Sequence, residues 1–148
     1  MYKRQSPDRA ALVNSCLIRY LDFMDNYASK GEVCHPSDNL GALLAAAEYA
    51  GSTGEELMTA AAVSYQVQGR LMESLPTMRA GLNYTTPLGF SVAAGASRLL
   101  NLDQARTSNA LALAGVGAVS LAVIQAEPLS QWKGLASGEV SSLSLIHI

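Results

Sequence analysis

Apolar residues recur along this chain at intervals of three and four, the period of an amphipathic helix, and no segment in its middle shows a convincing strand pattern. Ala10 to Tyr27 carries Leu12, Val13, Cys16, Leu17, Tyr20, Leu21 and Met24, which predicts one face of a first helix. On that reading Asp22, Asp25 and Asn26 fall in its last turns, with Asp22 and Asn26 on one face. Ser29 to Pro36 reads as a loop containing Gly31, and Pro36 biases His35 toward extended backbone. A second helix is predicted from there, capped by Ser37 or Asp38, running through Leu40, Leu43, Leu44 and Ala47 to about Ala50. Gly51 stops it.

Thr53 followed by Glu56 fits a capping box for a third helix, Gly54 to about Leu75, with Leu57, Ala60, Ala61, Tyr65, Gln68, Leu71 and Met72 along one side. Pro76 ends it, and Thr77 to Thr85 reads as a loop. Thr86 as cap and Pro87 in the first turn open a fourth helix to Leu100. Its small residues Gly89, Ala93 and Ala96 or Ser97 admit a close neighbour, while Leu88, Val92 and Leu99 fill space. Asp103 is placed to cap a fifth helix running to about Gln125. That helix is apolar nearly all round and is expected at the centre of the structure. Gly115 and Gly117 lower its intrinsic propensity by roughly 0.8–1 kcal/mol each relative to Ala, a cost that close packing must offset. The expected class is all-α, with Ala-rich helices forming part of a larger helical domain. The run around Gly115 and Gly117 lacks the preceding strand of a dinucleotide site.

Composition changes this picture little. Of 148 residues 49% are hydrophobic, enough for a real core, and 10 Lys plus Arg against 12 Asp plus Glu give a net charge of -2. With no basic patch, a nucleic acid or an anionic membrane is not an expected partner. The longest uncharged apolar run, Ala110 to Ile124, falls short of the ~20 residues that span a bilayer. Cys16 and Cys34 are too few for a disulfide scaffold and read as free thiols of an intracellular, cytoplasmic chain. Residues 1–5 and 142–148 resemble translated sequencing-adaptor sequence. The natural polypeptide is therefore expected from about Ser6 to about Ser141, continuing beyond both ends.

The densest chemistry lies between Arg19 and Asn39, where Asp22, Asp25, Asn26, His35, Asp38 and Asn39 sit between two apolar segments. A carboxylate and an imidazole supply the two roles of acid-base catalysis. Helix-end and loop capping explain the same residues, and carboxylates also suit a hard cation, although neither HExxH nor CxxC is present. Asp38 reads as a helix cap. Tyr84, Thr85 and Thr86 precede a helix N-terminus, where backbone donors can receive a carboxylate, with capping and aromatic packing as the plainer account. Lys133, beside Trp132, is an anion-binding residue or a surface charge with its stem on the indole. Arg19 and Arg70 are further candidate anion partners.

The segments RYLDFMDNY, HPSDN, SYQVQGRL, GLNYTTPLGFSVAAGASRLLNLD and QWKGLASG together resemble the helical domain of the MmgE/PrpD family, over essentially Asp8 to Val140. That family includes 2-methylcitrate dehydratase and cis-aconitate decarboxylase, and its members are longer, with a second, α/β domain. The resemblance implies that residues 6–141 are a partial helical domain. It further implies a carbon-oxygen lyase, a hydro-lyase dehydrating a 2-hydroxy tricarboxylate such as 2-methylcitrate, with decarboxylation or epimerisation of a related polycarboxylate as the alternative. A non-catalytic helical packing or oligomerisation domain is the rival of a different class.

By motif position, Asp22 and His35 correspond to the family's catalytic residues, while Asp25, Asn26, Tyr84, Thr85 and Lys133 are placed to bind substrate. The resemblance leads one to expect His35 in proton transfer, with Asp22 orienting it or sharing the proton. Asn26 replaces a family threonine and Tyr84 a frequent histidine. A homodimer is implied for the full-length protein, with no cofactor and no iron-sulfur cluster. The piece by itself is expected to be inactive.

Overall fold

The computed structural model describes residues 6–29, 32–146 and 148; the expected non-native start at residues 1–5, and Gly31 of the expected loop, lie outside these. The elements are helices α1 (Pro7–Arg19), α2 (Leu40–Ala50), α3 (Gly54–Ser74), α4 (Thr85–Leu99), α5 (Gln104–Gly117) and α6 (Trp132–Ile146), with a hairpin of β1 (Tyr27–Ser29) and β2 (Glu32–Cys34). The all-α expectation therefore holds, and the antiparallel hairpin is the departure from it. Strands of three residues are too short to display a period of two. Its register sets Tyr27 opposite Cys34, and Cys34 packs with Met72 and Tyr84. Ser29 Oγ donates to the Met72 carbonyl at 3.3 Å, which docks the hairpin on the last turns of α3.

The α2–α3 junction forms as its sequence dictates. Gly51 takes the left-handed conformation (φ 68°) that a residue with a Cβ resists, and Thr53 and Glu56 close a reciprocal capping box. Thr53 N donates to Glu56 Oε2 at 2.7 Å, and Glu56 N to Thr53 Oγ1 at 3.3 Å.

The centre of the fold is α4, packed against α2, α3, α5 and α6. Leu88, Val92 and Leu99 are buried as expected, and a Cβ on Gly95 would collide with Ser64 and Leu43 of the neighbouring helices. Small residues set this spacing. The same logic brings α1 against α2, where Gly41 faces Ser15 so closely that its hypothetical Cβ would lie 2.5 Å from the Ser15 backbone nitrogen.

Four expectations are corrected. First, α1 ends at Arg19, not Tyr27, and buries the face that carries the small residues Ala11 and Ser15 and ends in Arg19; Leu17, Tyr20, Leu21 and Phe23 stay exposed. Close approach to Gly41 selects the small face over the large apolar one. Asp22, Asp25 and Asn26 consequently lie in irregular backbone beyond the helix, with Asp22 left-handed (φ 49°). Second, α5 ends at Gly117 and buries only Ala110 and Ala114, so α4 takes the central place expected of it. Residues beyond it turn away to bond residues 81–86: Asn83 N donates to the Ser120 carbonyl at 2.8 Å and Ala122 N to that of Gly81 at 2.9 Å.

Third, Thr86 is not the cap of α4, because its hydroxyl donates to the Ser120 carbonyl at 3.0 Å. Tyr84 takes the N-cap position without a side-chain bond, and the residue before it, Asn83, accepts from Thr85 N through Oδ1 at 3.0 Å. Fourth, neither Ser37 nor Asp38 caps α2: Pro36–Asn39 forms a 3-10 turn running straight into that helix, and the Asp38 side chain turns inward. At the far end α6 continues through residues 142–146, with Leu145 against the core and Ser144 Oγ donating to the Gly89 carbonyl at 3.3 Å.

Candidate active site

The irregular segment after α1, the start of the 3-10 turn and the N-terminus of α6 meet around a cleft of about 540 Å³. Asp22, Asn26, His35, Tyr84 and Lys133 all line it, together with Arg19. Residues more than a hundred positions apart in the chain thus share one cavity. Asp25 and Thr85 do not line it: Asp25 Oδ1 accepts from Ser37 N at 3.0 Å, and the Thr85 hydroxyl donates to Asn83 Oδ1 at 2.9 Å.

His35 sits on extended backbone (φ -117°, ψ 93°), as the proline after it requires. Its Nδ1 lies 2.8 Å from the Asp25 carbonyl oxygen. A carbonyl only accepts, so Nδ1 must carry the proton, and in the neutral ring Nε2 is the basic nitrogen. The ring meets Tyr84 edge-on, with centroids 5.2 Å apart at 88°. Ring orientation and tautomer are both set by the fold. It is Asp25, through its backbone, that orients the imidazole.

Asp22 is occupied elsewhere. Its Oδ1 lies 3.1 Å from Arg19 Nη2 and its Oδ2 4.0 Å from Lys133 Nζ, so the carboxylate stands between two cations. Asp22 is 61% exposed and Arg19 only 5%, which makes the pair a link from the interior to the cleft. Arg19 also lies across the Tyr84 ring, 5.7 Å from its centroid.

Behind the cleft, Asp38 Oδ2 accepts from Arg19 Nη1 at 3.3 Å. Burial lifts the Asp38 carboxyl to about 6, against the opposing pull of Arg19 and His35. Burial, reinforced by Asp38, also raises the Tyr84 hydroxyl, so Tyr84 faces the cleft as a neutral phenol able to donate a hydrogen bond. The Cys34 thiol is pushed up to about 12, chiefly by burial, and is inert as a nucleophile.

Two acidic residues of the cleft, Glu32 and Glu127, were not singled out by their pattern in the chain. Glu32 is tied down, accepting from Thr77 Oγ1 and from Met78 N. The buried role of Arg19 was also missed. Its signal was present in the stripe Ala11, Ser15, Arg19, four residues apart on the small face of α1. Among the described residues no group of three His, Cys, Asp or Glu is placed to hold a metal ion, and no helix is long and apolar enough to cross a membrane.

The pattern of the MmgE/PrpD N-terminal domain matches residues 2–146 of the chain. The 2-methylcitrate dehydratase of Escherichia coli (strain K12) is 30% identical over 147 residues, which cover 92% of this chain and 30% of that relative. The mitochondrial 2-methylcitrate dehydratase of Yarrowia lipolytica is 30% identical over 148 residues, 92% of this chain and 28% of its own length. That of Cupriavidus necator is 29% identical over 147 residues, with 92% and 30% covered. The chain thus spans under a third of the length of these curated relatives.

Proposed function

The chain belongs to the MmgE/PrpD family, and from that premise we propose that it forms the acid-base part of a hydro-lyase that dehydrates a 2-hydroxy tricarboxylate such as 2-methylcitrate. The observation that carries this reading is the fixed tautomer of His35: its Nδ1 is committed to the Asp25 carbonyl at 2.8 Å, which leaves Nε2 to exchange a proton in a cleft shared with Asp22 and Lys133.

In the reaction a base removes the carbon-bound proton beside a carboxylate. The freed electron pair forms the C=C bond, and the C–O bond breaks as the hydroxyl takes a proton and departs as water. His35 is the proton-transfer group. Lys133, only partly matched by Asp22, offers charge to a substrate carboxylate, and the neutral Tyr84 hydroxyl and the Asn26 amide add hydrogen bonds. Asp22 holds the cation pair in register instead of contacting the imidazole.

The test uses the full-length protein from the complete open reading frame, assayed for water loss against carbon dioxide release and epimer formation. His35→Ala should lower turnover by a factor on the order of 10²–10⁴ with the fold intact by circular dichroism, and Asp22→Asn should also cost turnover. Near-wild-type rates in both would overturn the assignment. Carbon dioxide release without water loss would move it to the decarboxylase alternative.

A second reading, a packing or oligomerisation module, draws on the exposed Tyr20, Leu21 and Phe23. Retained assembly together with absent turnover in the full-length protein would favour it.

A further inference from the structure

Asp38 is wholly buried and does not itself line the cleft. Its Oδ2 accepts from Arg19 Nη1 at 3.3 Å, while its Oδ1 has no hydrogen-bond partner. A half-satisfied buried charge of this kind is poor support for stability. Nor is it needed to anchor its own turn, since the adjacent Asn39 already ties that turn to α3 and α4 through Gln68 and Ser91.

The other end of the arrangement explains it better. Arg19 Nη2 is 3.1 Å from Asp22 Oδ1, and a guanidinium is a planar fork whose two amino groups cannot be redirected independently. Pinning Nη1 at Asp38 therefore sets the direction in which Nη2 points. Asp22 depends on that direction, because its side chain is 61% exposed and its left-handed backbone lies outside any helix or strand.

We propose that Asp38 is a positioning residue: through the Arg19 fork it holds the Asp22 carboxylate in the cleft opposite Lys133. This rests on the acid-base reading above and deepens it, adding a buried control point to the exposed site. An asparagine at 38 can still offer its carbonyl to Arg19 but carries no charge, so the hold on the fork is weakened without emptying the space.

The test is a double-mutant cycle in the full-length enzyme, read as turnover of the 2-hydroxy tricarboxylate. Asp38→Asn should lower kcat on the order of 10- to 100-fold with KM nearly unchanged, and should have no further effect in an Asp22→Asn background. An equal loss in both backgrounds, or a change in KM alone, would make Asp38 merely structural and overturn the proposal. If Asp38→Asn does not fold, Arg19→Lys replaces it, since lysine keeps the charge without the fork. Its loss should likewise vanish beside Asp22→Asn, and an Arg19→Lys enzyme with full activity would overturn the proposal. Asp22→Asn alone at wild-type rate would also overturn the proposal, whereas a wild type without turnover, or near-wild-type rates in both His35→Ala and Asp22→Asn, would bring down the acid-base reading itself.

Discussion

Asp38 and Asn39 are neighbours in one short turn, 1% and 0% exposed, yet they face different worlds. Asn39 is tied into the core by neutral bonds: its Nδ2 donates to the Pro36 carbonyl at 2.9 Å and to Gln68 Oε1 at 2.7 Å, and its Oδ1 accepts from Ser91 Oγ at 2.6 Å. Asp38 belongs to a charged series running outward through Arg19 to Asp22 and Lys133. One residue fastens the turn to the fold and the next connects it to the cleft. Burial alone does not distinguish a structural polar group from a functional one; its partners do, and a buried charge left half-satisfied is the one to question.

The contrast can be broken most strongly at Asn39. Replacing it with Ala leaves Gln68 Oε1 without its donor in the interior, while Ser91 Oγ keeps the Leu88 carbonyl at 2.9 Å, and should cost roughly 2–4 kcal/mol, read by urea denaturation of the full-length protein. Next comes a pH effect that Asn39 cannot show. The Asp38 carboxyl is raised by burial, with nearby Asp25 adding, from 3.8 to about 6 against the pull of Arg19 and His35, so folding favours its protonated form. Its contribution to stability is therefore complete below about pH 4 and is lost as pH rises through about 6. Wild type should fall in stability relative to Asp38→Asn between pH 4 and pH 7, by up to roughly 3 kcal/mol in paired denaturation curves. A flat difference would mean that the carboxyl titrates normally. The smallest effect is expected at Ser91→Ala, about 1 kcal/mol and independent of pH over that range.

Much of the fold was legible where local chemistry is decisive. Gly51, the Thr53–Glu56 box and the small residues of α4 all act where the sequence places them. What escaped depends on distant partners. Helices α4 and α5 are alike in their Ala-rich, apolar composition, but α4 buries Leu88, Val92 and Leu99 while Val116 of α5 is 83% exposed. Composition tells how much apolar surface a helix has and not which neighbours reach it. The large apolar residues of α1 misled for the same reason, since the close crossing at Gly41 favours Ala11 and Ser15.

At the site, motif position brought Asp22, Asn26, His35, Tyr84 and Lys133 to one cleft. The orientation of His35 by a backbone carbonyl has no residue-type signature, and neither does the inward turn of Asp38, whose place in HPSDN looks like an ordinary helix cap.

The cleft also has a history written into chain order. Lys133 stands in the first turn of α6, whereas Asp22 and His35 fall within the first forty residues. A chain emerging from the ribosome carries its imidazole and carboxylate long before the matching ammonium group exists. Until α6 is made and docks against α1, the cleft lacks its ammonium group, and the Asp22 carboxylate has Arg19 as its cationic partner there.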